Sequence, residues 1–366
     1  SPTPPNTLGG LHVVRIAPDQ RLLAAERIVG PGAGGPASRT AAARRFLESA
    51  SQLGIDISLM WGTLDPSGRY FHQSCLAVVG AGRTAMLFLS SDDPDGPTSA
   101  AFVDPSLHVA PVPTDFGIRQ RELLIRHACE HLTAMRTPPK SRGVTPRSDA
   151  DPRIVVLVQG LLEPEESAAA DALSRAGFLR LGDLAYMRRP LPSSVSRRRL
   201  QAAAQTTWPT GVVVRPLSQI DASMHDALLG RALQQSYIDT LDCPELCGLR
   251  DIDDVLESHR SVGEFDPALW WVIELNGKAE GAMLLSVCSA QQTVELVYLG
   301  ISPLLRGRGL GTSLLNLGLA ALVGKAEGSI TCAVDTRNTP AMKLYKRAGF
   351  QRFSTRVPFV MQLQAV

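Results

Sequence analysis

The 366-residue sequence has no apolar run near the roughly 18 residues that a bilayer-spanning helix needs, so no transmembrane segment is expected. It has no basic stretch leading into an apolar one near its start, so no secretory leader is expected. It carries little net charge, formally +2, and so gives no argument for a nucleic-acid or membrane partner. Its six cysteines are scattered along a long chain, which reads as reduced thiols of a cytoplasmic protein rather than a disulfide framework. No Gly-Lys-Ser/Thr closes a glycine loop, which excludes a Walker loop. Gly307-x-Gly309 is followed by Thr312 where a dinucleotide fingerprint needs its third glycine. What is present is an ordinary globular composition, 44% hydrophobic and 20% charged, in a length that suggests two domains.

The most informative stretch runs from Val294 to Thr312. Val294 to Ile301 is apolar and β-branched enough for a buried strand, and Ser302-Pro303 ends it because proline removes a ladder donor. Arg306-Gly307-Arg308-Gly309-Leu310-Gly311 follows. Beyond it Leu310, Leu314, Leu317 and Ala321 share one helical face. A strand, glycine-rich turn and helix in this order aim unpaired N–H groups of the helix start at an anion. The glycines admit close approach of the backbone, and two arginines add charge.

Around this stretch the chain alternates strands and helices. In the first half, strands are expected at 57–64, 75–79, 85–89, 154–158 and 181–187, and helices at 39–53, 118–135 and 165–176. Turns or loops are expected at 30–36, 65–68, 80–82, 90–97 and 137–152, with a mobile start over 1–10. Residues 191–209, including Arg197-Arg198-Arg199, read as a linker between domains at 1–190 and 210–366. In the second half, Asn276-Gly277 marks a hairpin between 270–274 and 281–288. Helices are expected at 221–235, 252–260 and 339–348, and strands at 212–214, 330–334 and 352–361.

The halves repeat. Ala341-x-x-Leu344-Tyr345-x-x-x-Gly349-Phe350 matches Ala169-x-x-Ala172-Leu173-x-x-x-Gly177-Phe178, each between a short strand and another strand. Glycine after a helix supplies the left-handed cap, and the Phe packs back on the last turn. The first half lacks the Gly-x-Gly turn before its long helix and has Leu173 where the second has Tyr345. It therefore reads as a degenerate copy without a phosphate cradle.

Asn338 stands where it caps the closing helix, and Pro340 lies in its first turn, where a missing N–H costs nothing. The strand Glu295-Leu296-x-x-Leu299-x-Ile301, the Arg306-x-x-Gly309-x-Gly311 loop and Asn338-x-x-Ala341-x-x-Leu344-Tyr345-x-x-x-Gly349-Phe350 together resemble the GNAT superfamily of N-acetyltransferases, over about residues 211–366. The resemblance implies an α/β fold of two tandem GNAT-like (acyl-CoA N-acyltransferase) domains, each a mixed sheet flanked by helices. It implies acetyl-CoA as cosubstrate, an amine acceptor and no metal. By the same resemblance Arg306, Gly307, Arg308, Gly309, Leu310, Gly311 and Thr312 hold the CoA pyrophosphate. The backbones of Leu299, Gly300 and Ile301 take the thioester and pantetheine, Leu304 and Leu305 lead into the loop, and Asn338 contacts the CoA arm. Tyr345 protonates the departing thiolate, and Glu295 matches a glutamate that often acts as base through water. Asp335, Asp251 and Asp253 are weaker base candidates. An acetyl-CoA-sensing protein without turnover is the alternative.

Two metal readings compete with this. His127-x-x-Glu130-His131 fits an inverted zinc-protease spacing, but no third ligand is evident, and the pair reads as the exposed side of an amphipathic helix. Cys243-x-x-x-Cys247, with His225 or His259, lacks the second cysteine pair of a structural zinc site. Asp92-Asp93-Pro94-Asp95-Gly96 falls short of a calcium loop and reads as a turn.

Overall fold

A computed structural model describes residues 7–8, 11–29, 35–64, 71–90, 114–137, 153–193, 198, 200, 202 and 208–363. The turn at 65–68 and the acidic turn at 92–96 lie outside these residues, as do most of the start at 1–10, the loops at 30–36 and 137–152, and the linker. The chain forms two compact units, Ser1–Leu181 with Val357–Val366, and Gly182–Arg356. Boundaries at 190 and 210, drawn in chain order, are therefore not those of the compact units.

The first unit contains β1 (Leu11–Arg15), α1 (Arg21–Val29), α2 (Gly35–Ala50), β2 (Met60–Leu64), β3 (Phe71–Val79), β4 (Thr84–Leu89), α3 (Thr114–Ala134), β5 (Leu157–Leu162) and α4 (Ser167–Arg175). Strands β1 to β5 lie side by side in that order, antiparallel except for the parallel pair β4–β5. Trp61, Leu87, Leu124, Leu132 and Leu173 are buried between sheet and helices. Helix α1 was not expected, because a buried Arg27 interrupts its apolar stripe. The Arg27 guanidinium is accommodated by donating to the His72 carbonyl at 3.0 Å.

The second unit contains β6 (Leu184–Pro190), β7 (Val212–Pro216), α5 (His225–Tyr237), α6 (Ile252–Arg260), β8 (Trp270–Leu275), β9 (Lys278–Cys288), β10 (Thr293–Ile301), α7 (Leu310–Ala321), β11 (Ser329–Asp335), α8 (Thr339–Arg347) and the start of β12 (Gln351–Gln362). Its sheet runs β12-β6-β11-β10-β9-β8-β7, and only β10–β11 is parallel. Trp270, Val272, Met283, Leu285, Leu314 and Leu319 form its core. Asn276 and Gly277 both have positive φ, 51° and 76°, as the two-residue hairpin turn between β8 and β9 requires.

The closing strands are exchanged. Strand β6 follows α4 in the chain, yet its ladder partners are β11 and residues 351–356 of β12 in the second unit. The rest of β12, from Val357, pairs antiparallel with β5 in the first unit, where two-residue Leu179–Arg180 also joins it. Local sequence pattern makes these segments strands but does not name their partners.

The repeat is visible in backbone detail. Gly177 and Gly349 both have positive φ. Phe178 N–H donates to the Leu173 carbonyl and Phe350 N–H to the Tyr345 carbonyl, each at 3.0 Å.

Candidate active site

Strand β10 pairs with β11 only at Thr293, Val294 and Glu295. Beyond that point its register with β9 shifts: Leu296 faces Leu285 and Tyr298 faces Leu284, leaving Val297 as an extra residue. A bulge of this kind bends the strand and raises its twist. Val297 to Ile301 are all half-buried, where a strand covered on both sides would be closed off. The result is a wedge between β10 and β11, with Glu295 at its apex and Ile301 and Asp335 at its mouth. Tyr298 folds its ring over Gly300, where a Cβ would collide with it, and its hydroxyl lies 2.7 Å from that of Ser236.

At the mouth the chain enters the glycine loop. Arg306 spends its guanidinium on three carbonyls: Ile301 at 3.0 Å, Ser236 at 2.8 Å and Asp239 at 2.9 Å. It thereby ties the end of β10 to the end of α5. Arg308 is exposed, and its side chain makes no hydrogen bond or ion pair among the described residues. Gly307 and Gly309 have φ of 74° and 77°, with nothing within 4 Å of where a Cβ would stand. Gly309 is the N-cap of α7 and offers no side chain, so the helix start keeps exposed donors. Leu305 and Leu310 are buried and anchor the loop, Leu304 is exposed, and Thr312 N–H turns back to the Gly309 carbonyl at 3.1 Å. Gly311 lies against Leu344, tying α7 to α8.

Helix α8 starts at Asn338, whose Oδ1 accepts the Ala341 N–H at 3.2 Å. Its Tyr345 is 6% exposed and packs against Phe350 with ring centroids 5.5 Å apart. Burial holds the Tyr345 hydroxyl well above the usual tyrosine range, and Cys332 on β11, Asp242 and Tyr298 push it the same way. Tyr345, Tyr298 and Cys332, from three elements, thus meet electrostatically at the wedge. Burial, with Tyr237 adding, also pushes the Tyr298 hydroxyl up against the opposing Ser236 bond. Both phenols are protonated at neutral pH.

The carboxylates differ sharply. Burial raises Glu295, which faces Ser286 and Thr331 across the ladders. Asp335 is fully buried; burial works to raise it, but Arg337 and the Cys243 N–H hold it below the usual range. Arg337 also clasps Glu245 through two bonds of 2.7 and 2.9 Å, so this network is structural. Asp251 and Asp253 are exposed at the start of α6. The residue that sequence reasoning missed is Asp242. It accepts the Asp335 N–H at 2.8 Å and a bond from the Asn338 side chain, and burial raises its carboxyl. Only its position in a long α5–α6 connection marked it, which is too little to single it out.

The metal readings find no support. His127 and His131 are half-buried rather than exposed, and their rings meet Trp61 edge-on at 6.1 and 5.3 Å. Trp61 is on β2, so the pair belongs to the packing of the first unit. Cys243 is buried and burial pushes its thiol up, Cys247 is exposed, and His225 bonds two carbonyls. Among the described residues no group of three His, Cys, Asp or Glu side chains gathers as metal ligands, and no helix is long and apolar enough to cross a membrane.

The bulged strand, the glycine turn and the helix that follows it all lie within the stretch that matches a known family. Residues 236–350 match the acetyltransferase (GNAT) family, so the second unit carries a GNAT domain. Among curated proteins the chain is similar to a mycothiol acetyltransferase of Thermomonospora curvata, 30% identical over 52% of this chain and 60% of the relative. It is also similar to one of Clavibacter sepedonicus, 32% identical over 51% of this chain and 56% of that relative. The chain thus spans 60% or less of the length of these relatives. Among solved structures, a GCN5-related N-acetyltransferase from Sphaerobacter thermophilus aligns over 98% of this chain and 97% of its own, with 15% identity and a TM-score of 0.49.

Proposed function

We propose that the second unit moves an acetyl group from acetyl-CoA to an amine by direct attack, with both substrates held together. The observation that carries this reading is the bulge at Val297. It opens one edge of β10 beside the glycine loop and the buried Tyr345. An open strand edge offers backbone N–H donors on alternate residues, here Leu299 and Ile301 with Gly300 between them, because the Ser302 N–H two residues past Gly300 turns the other way to the Glu280 carbonyl; such donors suit a thioester carbonyl and an amide-bearing arm. The bare start of α7, with Gly307 and Gly309 open to solvent, suits a pyrophosphate, and Arg308 is placed to add charge. Arg306 then acts by shaping the loop rather than by touching the anion.

Glu295 takes the amine proton, directly or through water. An amine with a lysine-like pKa of about 10.4 is cationic at neutral pH and must lose that proton before it attacks. Tyr345, held protonated by burial, gives its proton to the departing thiolate, whose pKa is near 8.5. The name that the relatives carry makes a mycothiol-related amine one acceptor to screen. The test is acetyl-CoA consumption against an amine panel, beside calorimetry with acetyl-CoA. Turnover with at least one amine is expected. Tight binding with no turnover on any amine would turn the reading to a sensor.

A further inference from the structure

We infer that the open sheet face beside Glu295, formed by Tyr186, Arg188 and Phe353, holds the far end of the acceptor, and that this end is anionic. The inference rests on the acetyl-transfer reading and deepens it by naming an acceptor class.

The register places these groups. Glu295 lies opposite Thr331, and Thr331 lies opposite Arg188, so the three form one row across β10, β11 and β6. Directly paired residues share a face, and two strand spacings separate Arg188 from Glu295 by roughly 10 Å. Tyr186, two residues before Arg188 and opposite Ala333, stands on the same face. Burial and the Glu295 carboxylate push the Tyr186 hydroxyl up, and Arg356 acts the other way, as expected of groups that look into one space.

This face is open while the other is closed. Ala333 and Arg188 are exposed, whereas Ala185, Met187, Cys332 and Val334 behind them are buried. A second bulge shapes its rim. Ser354 pairs with Tyr186 and Arg352 with Met187, which leaves Phe353 as the extra residue. Its ring is turned outward, 50% exposed, edge-on to Tyr186 at 6.3 Å. The Arg188 guanidinium lies over that ring, 4.3 Å from its centroid, and makes no side-chain hydrogen bond among the described residues. Stacking fixes the plane of a guanidinium and leaves its edge N–H donors unspent, which is the geometry that takes a carboxylate or phosphate through two bonds.

The face therefore carries a negative group at the wedge and positive groups at the far side. It complements a molecule with an amine at one end and an anion several bonds away. Strand β6, which closes the first half in chain order, supplies two of the three residues.

The test compares 6-aminohexanoate, 4-aminobutyl phosphate and the uncharged 6-aminohexanamide, with thiol release from acetyl-CoA as readout. One or both anionic amines are expected to exceed the amide in kcat/KM by about tenfold or more. Which of the two wins distinguishes carboxylate from phosphate. Arg188→Ala is expected to bring the two anions down to the level of the amide, chiefly through KM, with acetyl-CoA affinity unchanged. Arg188→Lys is expected to restore part of the preference. An amide used as well as the anions, a preference that survives Arg188→Ala, or no probe turned over by protein that does acetylate another amine of the panel would each overturn the inference. Failure to bind acetyl-CoA, or binding with no turnover on any amine, is the separate signature of a failed parent reading.

Discussion

The two units run through the same order of strands and helices and part company at one strand and one helix face. In the second, β10 is bulged at Val297 and leaves β11 after three pairs. In the first, β4 runs unbulged beside β3 from Ala85 to Leu89 and stays with β5 over four pairs. Where the second presents Tyr345 toward the wedge, the first has Leu173, wholly buried over Gly160; a Cβ there would come 2.9 Å from Leu173 Cδ1. Other features are common to both. Arg306 donates to the Ile301 carbonyl at the end of β10, and buried Arg121 donates to the Ser90 carbonyl just past β4. Gly-Phe caps end α4 and α8 alike. The shared devices are what this fold needs to close. The bulge at Val297, the Gly-x-Gly sequence before α7 and the tyrosine have no counterpart in the first unit, and it is these features that the proposed chemistry uses.

The sharpest way to break this contrast is the pair Tyr345→Phe and Leu173→Ala. Removing one hydroxyl from the second unit is expected to lower kcat by roughly 10²–10⁴ with acetyl-CoA affinity and melting temperature little changed. Leu173→Ala is expected to cost about 2–5 kcal/mol in denaturant unfolding and to leave the chemical step alone. Near-normal turnover in Tyr345→Phe would remove Tyr345 as the acid.

Next comes the loop. Gly309→Val puts a β-branched residue at φ 77° and a side chain over the open helix start. Calorimetry is expected to show a fall in acetyl-CoA affinity of about 100-fold or more. The unaltered chain should bind one equivalent, since no Gly-x-Gly directly precedes α3 in the sequence; two equivalent sites would refute the degeneracy of the first copy.

A smaller effect is expected from Glu295→Gln, on the order of tenfold near neutral pH. Burial raises the Glu295 carboxyl, and a base works only when deprotonated, so wild-type activity falls as pH drops through that raised value. The variant has no such group, and its deficit should shrink at high pH, where free amine is abundant. A constant ratio of the two rates from pH 6 to 10 would return Glu295 to a structural role.

The smallest effect concerns caps. Asn338 caps α8 through its side chain, whereas Glu166 makes no side-chain cap bond to α4. Asn338→Ala is expected to cost about 1 kcal/mol, read as a shifted denaturant midpoint.

These features were unequally legible in the sequence. The loop, the Asn276-Gly277 hairpin and the paired caps were visible because each depends on a glycine or cap residue at a fixed offset, a local requirement. Helix α6 was placed to the residue by its amphipathic stripe. The bulges at Val297 and Phe353 were not visible, since an extra residue in a ladder depends on a partner strand that the local pattern does not name. Asp242 was missed for the same reason: its neighbours Asp335 and Asn338 lie over 90 positions away. Arg306 was read as a charge for the pyrophosphate, and only the carbonyls of Ser236 and Asp239 reveal it as a clamp.

The exchanged strands carry a consequence for inheritance. Strand β6 is bonded to β11 along seven residue pairs, and it is encoded ahead of the linker. A gene trimmed to residues 210–366 would lose that strand from between β12 and β11 in the second unit's sheet and strip β12 of its partner in β5. The first half of the chain thus supplies a strand that the second unit's sheet contains between β12 and β11. The first half can lack a phosphate turn and a tyrosine, but deleting it would leave the β11 edge that β6 covers unpaired.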